Sequence, residues 1–317
     1  MRITKAVITA AGRGARQYPA FDTVQKAMLP LVDRDGLTKP VLQIIAEEAL
    51  ESGIEEICVV SAPEDEAVYR RQFQTFAANL RSAYKGAPWA EEQAERMASL
   101  AAKLQFAVQD EPLGYGHAVW SAREFVAGQP FLLLLGDHLY VSKQDRRCAR
   151  QLLDLAEAEG CSASAVQATR EHRIVQYGTI SGRRTHDRPD VYAIDEIIEK
   201  PNPTTAELRL QIPGLRAGHY LCFFGMHVLT PLVFELLGEL VAQNRRELGS
   251  IQLTSALNEL ARRERYLALE TSGARYNLGV KFGLIEAQIA FSLAGVDREE
   301  MLSTLLESVV RIEQGMG

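Results

Sequence analysis

Ala10-Ala11-Gly12-Arg13-Gly14-Ala15-Arg16-Gln17-Tyr18-Pro19, running on to Lys26-Ala27-Met28-Leu29-Pro30, is the stretch on which the fold reading turns. Just before it, Lys5-Ala6-Val7-Ile8-Thr9 is short, apolar and partly β-branched, the pattern of a buried strand. Gly12 and Gly14 allow a sharp turn that brings backbone N–H groups close to a ligand. Arg16 and Lys26 add fixed positive charge, and an arginine can take phosphate oxygens two at a time. Strand, glycine turn and two cations together suggest a triphosphate cradle. A Rossmann fingerprint wants a third glycine where Gln17 stands, and a P-loop wants Gly-Lys-Ser/Thr; neither is present. Taken alone, the loop also reads as a tight strand-to-loop turn with surface charges.

Working outward, Pro40 opens an amphipathic segment with Val41, Leu42, Ile44, Ile45, Ala49 and Leu50 at helical spacing, and Gly53 stops it. Glu56 to Val60 is a second strand, so strand, loop, helix and strand follow in the order of a parallel crossover. Asp33 to Thr38 reads as a polar surface loop. Residues 64–103 predict two helices broken near Gly86-Ala87-Pro88, with their charges on a solvated face. Leu104 to Val108 returns to strand. Phe131-Leu132-Leu133-Leu134-Leu135 is wholly apolar, as the centre of a sheet covered on both faces requires, and it ends at Gly136-Asp137. Further on, Val166 to Ile180, Val191 to Ile198 and Tyr220 to Phe224 predict strands. Helical patterns cover 231–243, 252–263, 281–293 and 297–313.

The chain of 317 residues can bury a full core, and 47 % hydrophobic with 24 % charged residues is ordinary for a soluble globular protein. A net charge of −6 argues against a dedicated nucleic-acid binder. It leaves room for a nucleotide site, because a few local cations suffice for one triphosphate. Cys58, Cys148, Cys161 and Cys222 are scattered, without metal-ligand spacing or a disulfide framework. No stretch approaches the ~18 apolar residues that span a bilayer, and the first apolar run is too short for a signal peptide. A cytoplasmic location without a membrane partner is expected.

Five later segments turn the opening loop into a specific signal: Gly114-Tyr115-Gly116-His117-Ala118-Val119, Gly136-Asp137, Glu199-Lys200-Pro201, Ile251-Gln252-Leu253-Thr254 and Gly279-Val280-Lys281. In this order they resemble the bacterial UTP–glucose-1-phosphate uridylyltransferases, within the wider sugar-nucleotidyltransferase family, from Lys5 to about Ala290. The resemblance implies an α/β fold with a Rossmann-like, mixed but mostly parallel central sheet and helices on both faces, of the nucleotidyltransferase (GT-A-like) type. One domain would span 1–317, with a nucleotide half to about 140, a sugar-phosphate half over about 141–295 and a C-terminal helix over 296–317. The implied reaction joins UTP to glucose 1-phosphate and releases pyrophosphate, with Mg²⁺. Such chemistry depends on positioning and charge stabilisation and needs no side-chain nucleophile.

Asp137, one residue past the apolar strand, lies where an open α/β sheet places its ligand crevice, and is the candidate metal ligand. By the resemblance, Arg16 and Lys26 meet the triphosphate, while Lys200 and Lys281 hold the sugar phosphate. Glu199 accepts hydrogen bonds from sugar hydroxyls, with Gly178 and Gly218 against the sugar ring. Ala11 and Gly12 face the base, Gly14 belongs to the nucleotide-binding loop, and Gln109 and Gly114 complete the base pocket. His117 reads as a helix-start residue. The resemblance also implies a homodimer or homotetramer, with 297–313 as a possible contact.

The chain departs from the family pattern at several positions. Ala15 stands for a threonine, Ala27 for a glutamate that helps recognise uracil, and Asp22 for a lysine. Gly249 to Ser255 is one residue shorter than its counterpart and lacks its carboxylates. Asn277 replaces the aspartate of Asp-x-Gly-x-Lys, a second metal ligand in related enzymes; an amide oxygen still coordinates Mg²⁺ but brings no charge. Two alternatives therefore stand beside the first: a weak or inactive nucleotide-sugar-binding regulator, and an enzyme for another base or sugar 1-phosphate.

Overall fold

The computed structural model describes residues 1–12 and 24–315, the last three of them by backbone only. Gly14, Ala15, Arg16 and Asp22 lie outside the described residues. The first half alternates strand and helix: β1 (Lys5–Thr9), the hairpin β2 (Pro30–Val32) and β3 (Thr38–Pro40), α1 (Val41–Leu50), β4 (Glu56–Ser61), α2 (Glu66–Ala83), α3 (Pro88–Ala102) and β5 (Leu104–Val108). Then come α4 (Tyr115–Trp120), α5 (Arg123–Val126), β6 (Phe131–Leu135), β7 (His138–Ser142), α6 (Cys148–Glu159), β8 (Ser162–Arg170), β9 (Gly178–Arg184) and β10 (Val191–Glu199). The chain closes with α7 (Pro203–Arg209), β11 (His219–Leu229), α8 (Leu232–Ala242), α9 (Leu253–Arg263), β12 (Tyr266–Glu270), β13 (Gly273–Asn277), α10 (Gly283–Leu293) and α11 (Arg298–Gly315).

Among the described residues, one sheet of nine strands runs in the order β5-β4-β1-β6-β11-β8-β12-β10-β9. Its pairings leave only β11 and β10 running against the other strands, so the sheet is mixed and mostly unidirectional. The apolar run of β6 explains its central place. Leu132 and Leu134 point into one core with α1, α6 and α10, while Phe131 and Leu133 point into the other with α4, α8 and α9. Successive side chains alternate faces, so a strand covered on both sides must be apolar throughout. Truncating Leu133 to alanine removes about 2–5 kcal/mol of stability.

Two expectations need correcting. Val166 to Ile180 is not one strand: β8 ends at Arg170, Glu171–Gln176 forms a 3-10 turn with Ile174 buried, and β9 begins at Gly178. The charged run Glu171-His172-Arg173 breaks the alternation, and β8 and β9 occupy separate places in the sheet. Asp33 to Thr38 carries the expected turn, that of the β2–β3 hairpin, but is not wholly at the surface. There Asp33 is buried and pairs with the buried Lys39 ammonium at 2.7 Å, which also meets Asp35 and Glu47.

Candidate active site

The parallel strands β1 and β6 end side by side, and the loops leaving them form one wall of a cavity of about 470 Å³. That size lies within the range of small-molecule sites. Ala11, Gly12, Lys26, Gln109, Gly114, Asp137, Gly178, Glu199, Lys200 and Asn277 all line it. Lys281 lines an adjoining cleft with Val280 and Val175, and this cleft shares Gln176 and Lys200 with the main cavity. Gly218 does not line the cavity. It sits in the turn before β11 with φ +70°, a backbone conformation that itself calls for glycine.

At the tip of β6, Asp137 Oδ2 accepts from Lys26 Nζ at 2.6 Å and Oδ1 is 2.8 Å from His138 Nδ1. Burial alone would raise the Asp137 pKa, but His138 and the Lys26 ammonium together hold it well below the ordinary carboxylate range. The small β7–β13 sheet brings in the distant partner, because its register sets Asn277 opposite His138. Asn277 Oδ1 accepts the Gly279 N–H at 2.8 Å. A Cβ on Gly279 would lie 3.0 Å from both Asn277 Oδ1 and Asp137 Oδ2 and 3.6 Å from Lys26 Nζ. Two hard oxygen donors and one cation thus converge on a space that only a missing side chain leaves open.

A second acid–cation pair comes from β10. Lys200 Nζ is 2.8 Å from Glu199 Oε1, and Lys200 is held at φ +47°, a left-handed conformation that costs a lysine on the order of 1 kcal/mol. Pro201 follows it, and the Lys200 N–H donates to Tyr177 O at 3.1 Å. Gly178 pairs with Glu199 across β9–β10. A Cβ there would strike Phe223 at 2.8 Å and stand 3.2 Å from Glu199 Oε2. Arg275 carries Tyr177 from behind: its guanidinium lies 3.8 Å from the Tyr177 ring centroid and donates to Phe223 O. Sequence reading missed Arg275, because nothing local marks it. In the same cavity the Thr254 hydroxyl is buried without a hydrogen-bond partner among the described residues, and burial pushes the His227 imidazole down to about 3, keeping it neutral.

The third wall joins two distant segments. Ile251 N–H donates to Leu113 O at 2.8 Å, and Gly116 N–H donates to Ile251 O at 2.9 Å. Gly114, at φ +130°, fits because any Cβ would meet Ile251 O at 2.6 Å. Gln109 follows β5, and its Nε2 donates to Gly114 O at 3.0 Å. Ala27, buried in the 3-10 turn Lys26–Met28, also lines the cavity and offers it a methyl group.

The sequence profile of nucleotidyl transferases matches residues 5–274. The chain belongs to the nucleotidyl transferase family. Two UTP–glucose-1-phosphate uridylyltransferases of Bacillus subtilis (strain 168) are similar to it, one 34 % identical over 99 % of both chains and the other 33 % identical over 98 % of this chain and 97 % of the relative. Among solved structures, a UDP-glucose pyrophosphorylase complexed with UDP-glucose superposes with a TM-score of 0.72 at 27 % identity, over 92 % of this chain and 98 % of that one.

In this nucleotidyl transferase the described residues that could hold a divalent cation are Asp137 and Asn277. Among its described residues, no three His, Cys, Asp or Glu side chains converge on one point. Asp137 Oδ2 and Asn277 Oδ1, facing the same space beside Gly279, suit a small cation that takes its remaining ligands from phosphate and water.

Proposed function

We propose that this cavity condenses UTP with glucose 1-phosphate to UDP-glucose and pyrophosphate. The observation that carries the reading is the gathering of Lys26–Asp137, Asn277 and Glu199–Lys200, drawn from separate strands and turns, around one cavity. The full-length similarity to UTP–glucose-1-phosphate uridylyltransferases supports the choice of substrates. An ionised oxygen of glucose 1-phosphate attacks the α-phosphorus in line, the bond to the bridging oxygen breaks, and pyrophosphate leaves with the bonding pair. The attacking oxygen carries no proton, so no general base is required.

The chain's residues bind and orient two anions. Arg16 and Lys26 hold the triphosphate, and Lys26 exchanges its carboxylate partner for phosphate oxygens. Lys200 and Lys281 hold the sugar phosphate, and Glu199 accepts from sugar hydroxyls beside Gly178. Ala11 and Gly12 bring backbone against the base. Gln109 presents its carbonyl oxygen to the uracil N3–H, next to Gly114. Asp137 and Asn277 hold Mg²⁺, which supplies positive charge to relieve repulsion between the reactants. The setting is cytoplasmic and the assembly a homodimer or homotetramer. Four buried free cysteines support the first, and exposed Leu306, Val309 and Ile312 on α11 support the second. No described helix is long and apolar enough to cross a membrane.

Pyrophosphate release from each of four nucleoside triphosphates with several sugar 1-phosphates, with and without Mg²⁺, tests the proposal. Turnover is expected to be fastest with UTP and glucose 1-phosphate and to require Mg²⁺. Nucleotide binding without turnover on any pair would refute it in favour of a regulatory role.

A further inference from the structure

Gln109 is the only side-chain amide between β5 and the Gly114 turn, and its orientation decides whether the cavity meets a donor or an acceptor there. Two contacts settle that orientation. Its amide lies 3.0 Å from Gly114 O, and a backbone carbonyl only accepts, so the atom facing it is the NH₂ group. The same nitrogen lies 3.1 Å from His117 Nδ1, on the first turns of α4. An NH₂ group has two hydrogens, and the second is aimed at that ring nitrogen. His117 Nδ1 must therefore be bare, with the ring proton on Nε2. Gln109 Nε2 is then fully used, and its Oε1 has no partner among the described residues.

We infer that His117 is a positioning residue for base selection: its bare Nδ1 locks the Gln109 amide with the carbonyl oxygen toward the base, so that the site accepts the N3–H of an imide such as uracil and rejects the N3 lone pair of cytosine. The inference rests on the proposed nucleotide site and deepens it. Turning the amide over would set its oxygen against Gly114 O, acceptor facing acceptor, and the imidazole would have to move its proton from Nε2 to Nδ1 to meet it. Gly114 O alone supplies one half of the lock; the imidazole supplies the other. His117 is buried and held by its own contacts, because Ser121 Oγ donates to its carbonyl at 3.0 Å and its ring stacks on Trp120 at 5.9 Å. Ala27 lines the same cavity with a methyl group, which neither donates nor accepts.

Two measurements test this. In ¹⁵N-histidine NMR of the wild-type protein, with the signal assigned by its loss in His117→Asn, the ring is expected to carry its proton on Nε2; a proton on Nδ1 overturns the inference. This readout uses no substrate, so it stands even if the proposed reaction fails. Calorimetric titration with UTP and with CTP gives the second. His117→Phe keeps the ring stack and loses the acceptor, and its UTP-over-CTP preference is expected to fall about tenfold, the factor that one lost hydrogen bond carries. His117→Asn places an amide oxygen near the Nδ1 position and is expected to stay within about threefold of wild type. An unchanged preference in His117→Phe overturns the inference.

Discussion

Gly279→Ala is the substitution whose effect the geometry defines most closely. The new methyl group would lie 3.0 Å from Asn277 Oδ1 and from Asp137 Oδ2. Ordinary contacts of this kind begin nearer 3.5 Å, so each oxygen must retreat by about 0.5 Å. Neither is free to do so at no cost. Asn277 Oδ1 accepts the Gly279 N–H at 2.8 Å, and Asp137 Oδ2 accepts from Lys26 at 2.6 Å. A displacement of about 1 Å at a positioned group costs on the order of 100-fold in rate. Half of that at two groups acting together gives an expected loss of roughly 30- to 100-fold in kcat, about 2–3 kcal/mol of barrier. Gly279 does not have a positive φ, so the backbone accepts alanine and the melting temperature is expected to move by no more than a few degrees. The assay is initial-rate pyrophosphate release at saturating UTP and glucose 1-phosphate over a range of Mg²⁺, beside a thermal melt. A folded variant with kcat within about threefold of wild type would refute the reasoning.

Other consequences follow from single residues. Asn277→Asp restores a charge beside Asp137, and the Mg²⁺ needed for half-maximal rate is expected to fall about tenfold; an unchanged requirement would remove Asn277 from the metal shell. Glu199→Gln weakens acceptance from sugar hydroxyls, so KM for glucose 1-phosphate is expected to rise about tenfold while KM for UTP stays within about twofold. Equal rises in both would contradict the sugar assignment. Glu48, buried between α1 and α6, has its carboxyl pushed by burial from 4.5 up to about 7, against the Ala149 N–H that it accepts. The folded state therefore holds this proton more tightly than the unfolded state. Its stabilisation is complete below pH 4.5 and is lost as pH rises through about 7. Urea midpoints are expected to show Glu48→Gln gaining on wild type between pH 5 and pH 8, by up to about 3 kcal/mol; parallel midpoints would deny the shift.

Much of the fold was legible because its signals are local. The apolar run of β6, the Pro40-to-Gly53 helix and the break near Gly86 each carry their own pattern, and each element lies where the pattern places it. Asp137 was legible for a related reason, since the end of a central strand is a topological position. What escaped depends on pairings between distant segments. The β7–β13 sheet is two short strands whose partners lie over a hundred residues apart, and only that register sets Asn277 beside Asp137. Arg275 under Tyr177 and Ile251 against Gly116 arise the same way. Gly218 shows the converse ambiguity: a positive φ in a turn and a surface against a sugar both call for glycine, and the sequence does not distinguish them. The buried Asp33–Lys39 pair looked like loop polarity because the sequence carries no mark of what packs over it.

One acidic side chain at the tip of β6, with Lys26 and Asn277 around it, is proposed to make the meeting of two phosphates possible. Pyrophosphate release by Asp137→Ala, with UTP, glucose 1-phosphate and Mg²⁺ all saturating, measures that most directly. The account predicts a folded protein with turnover reduced by at least about a thousandfold. Turnover near that of the wild type would contradict it.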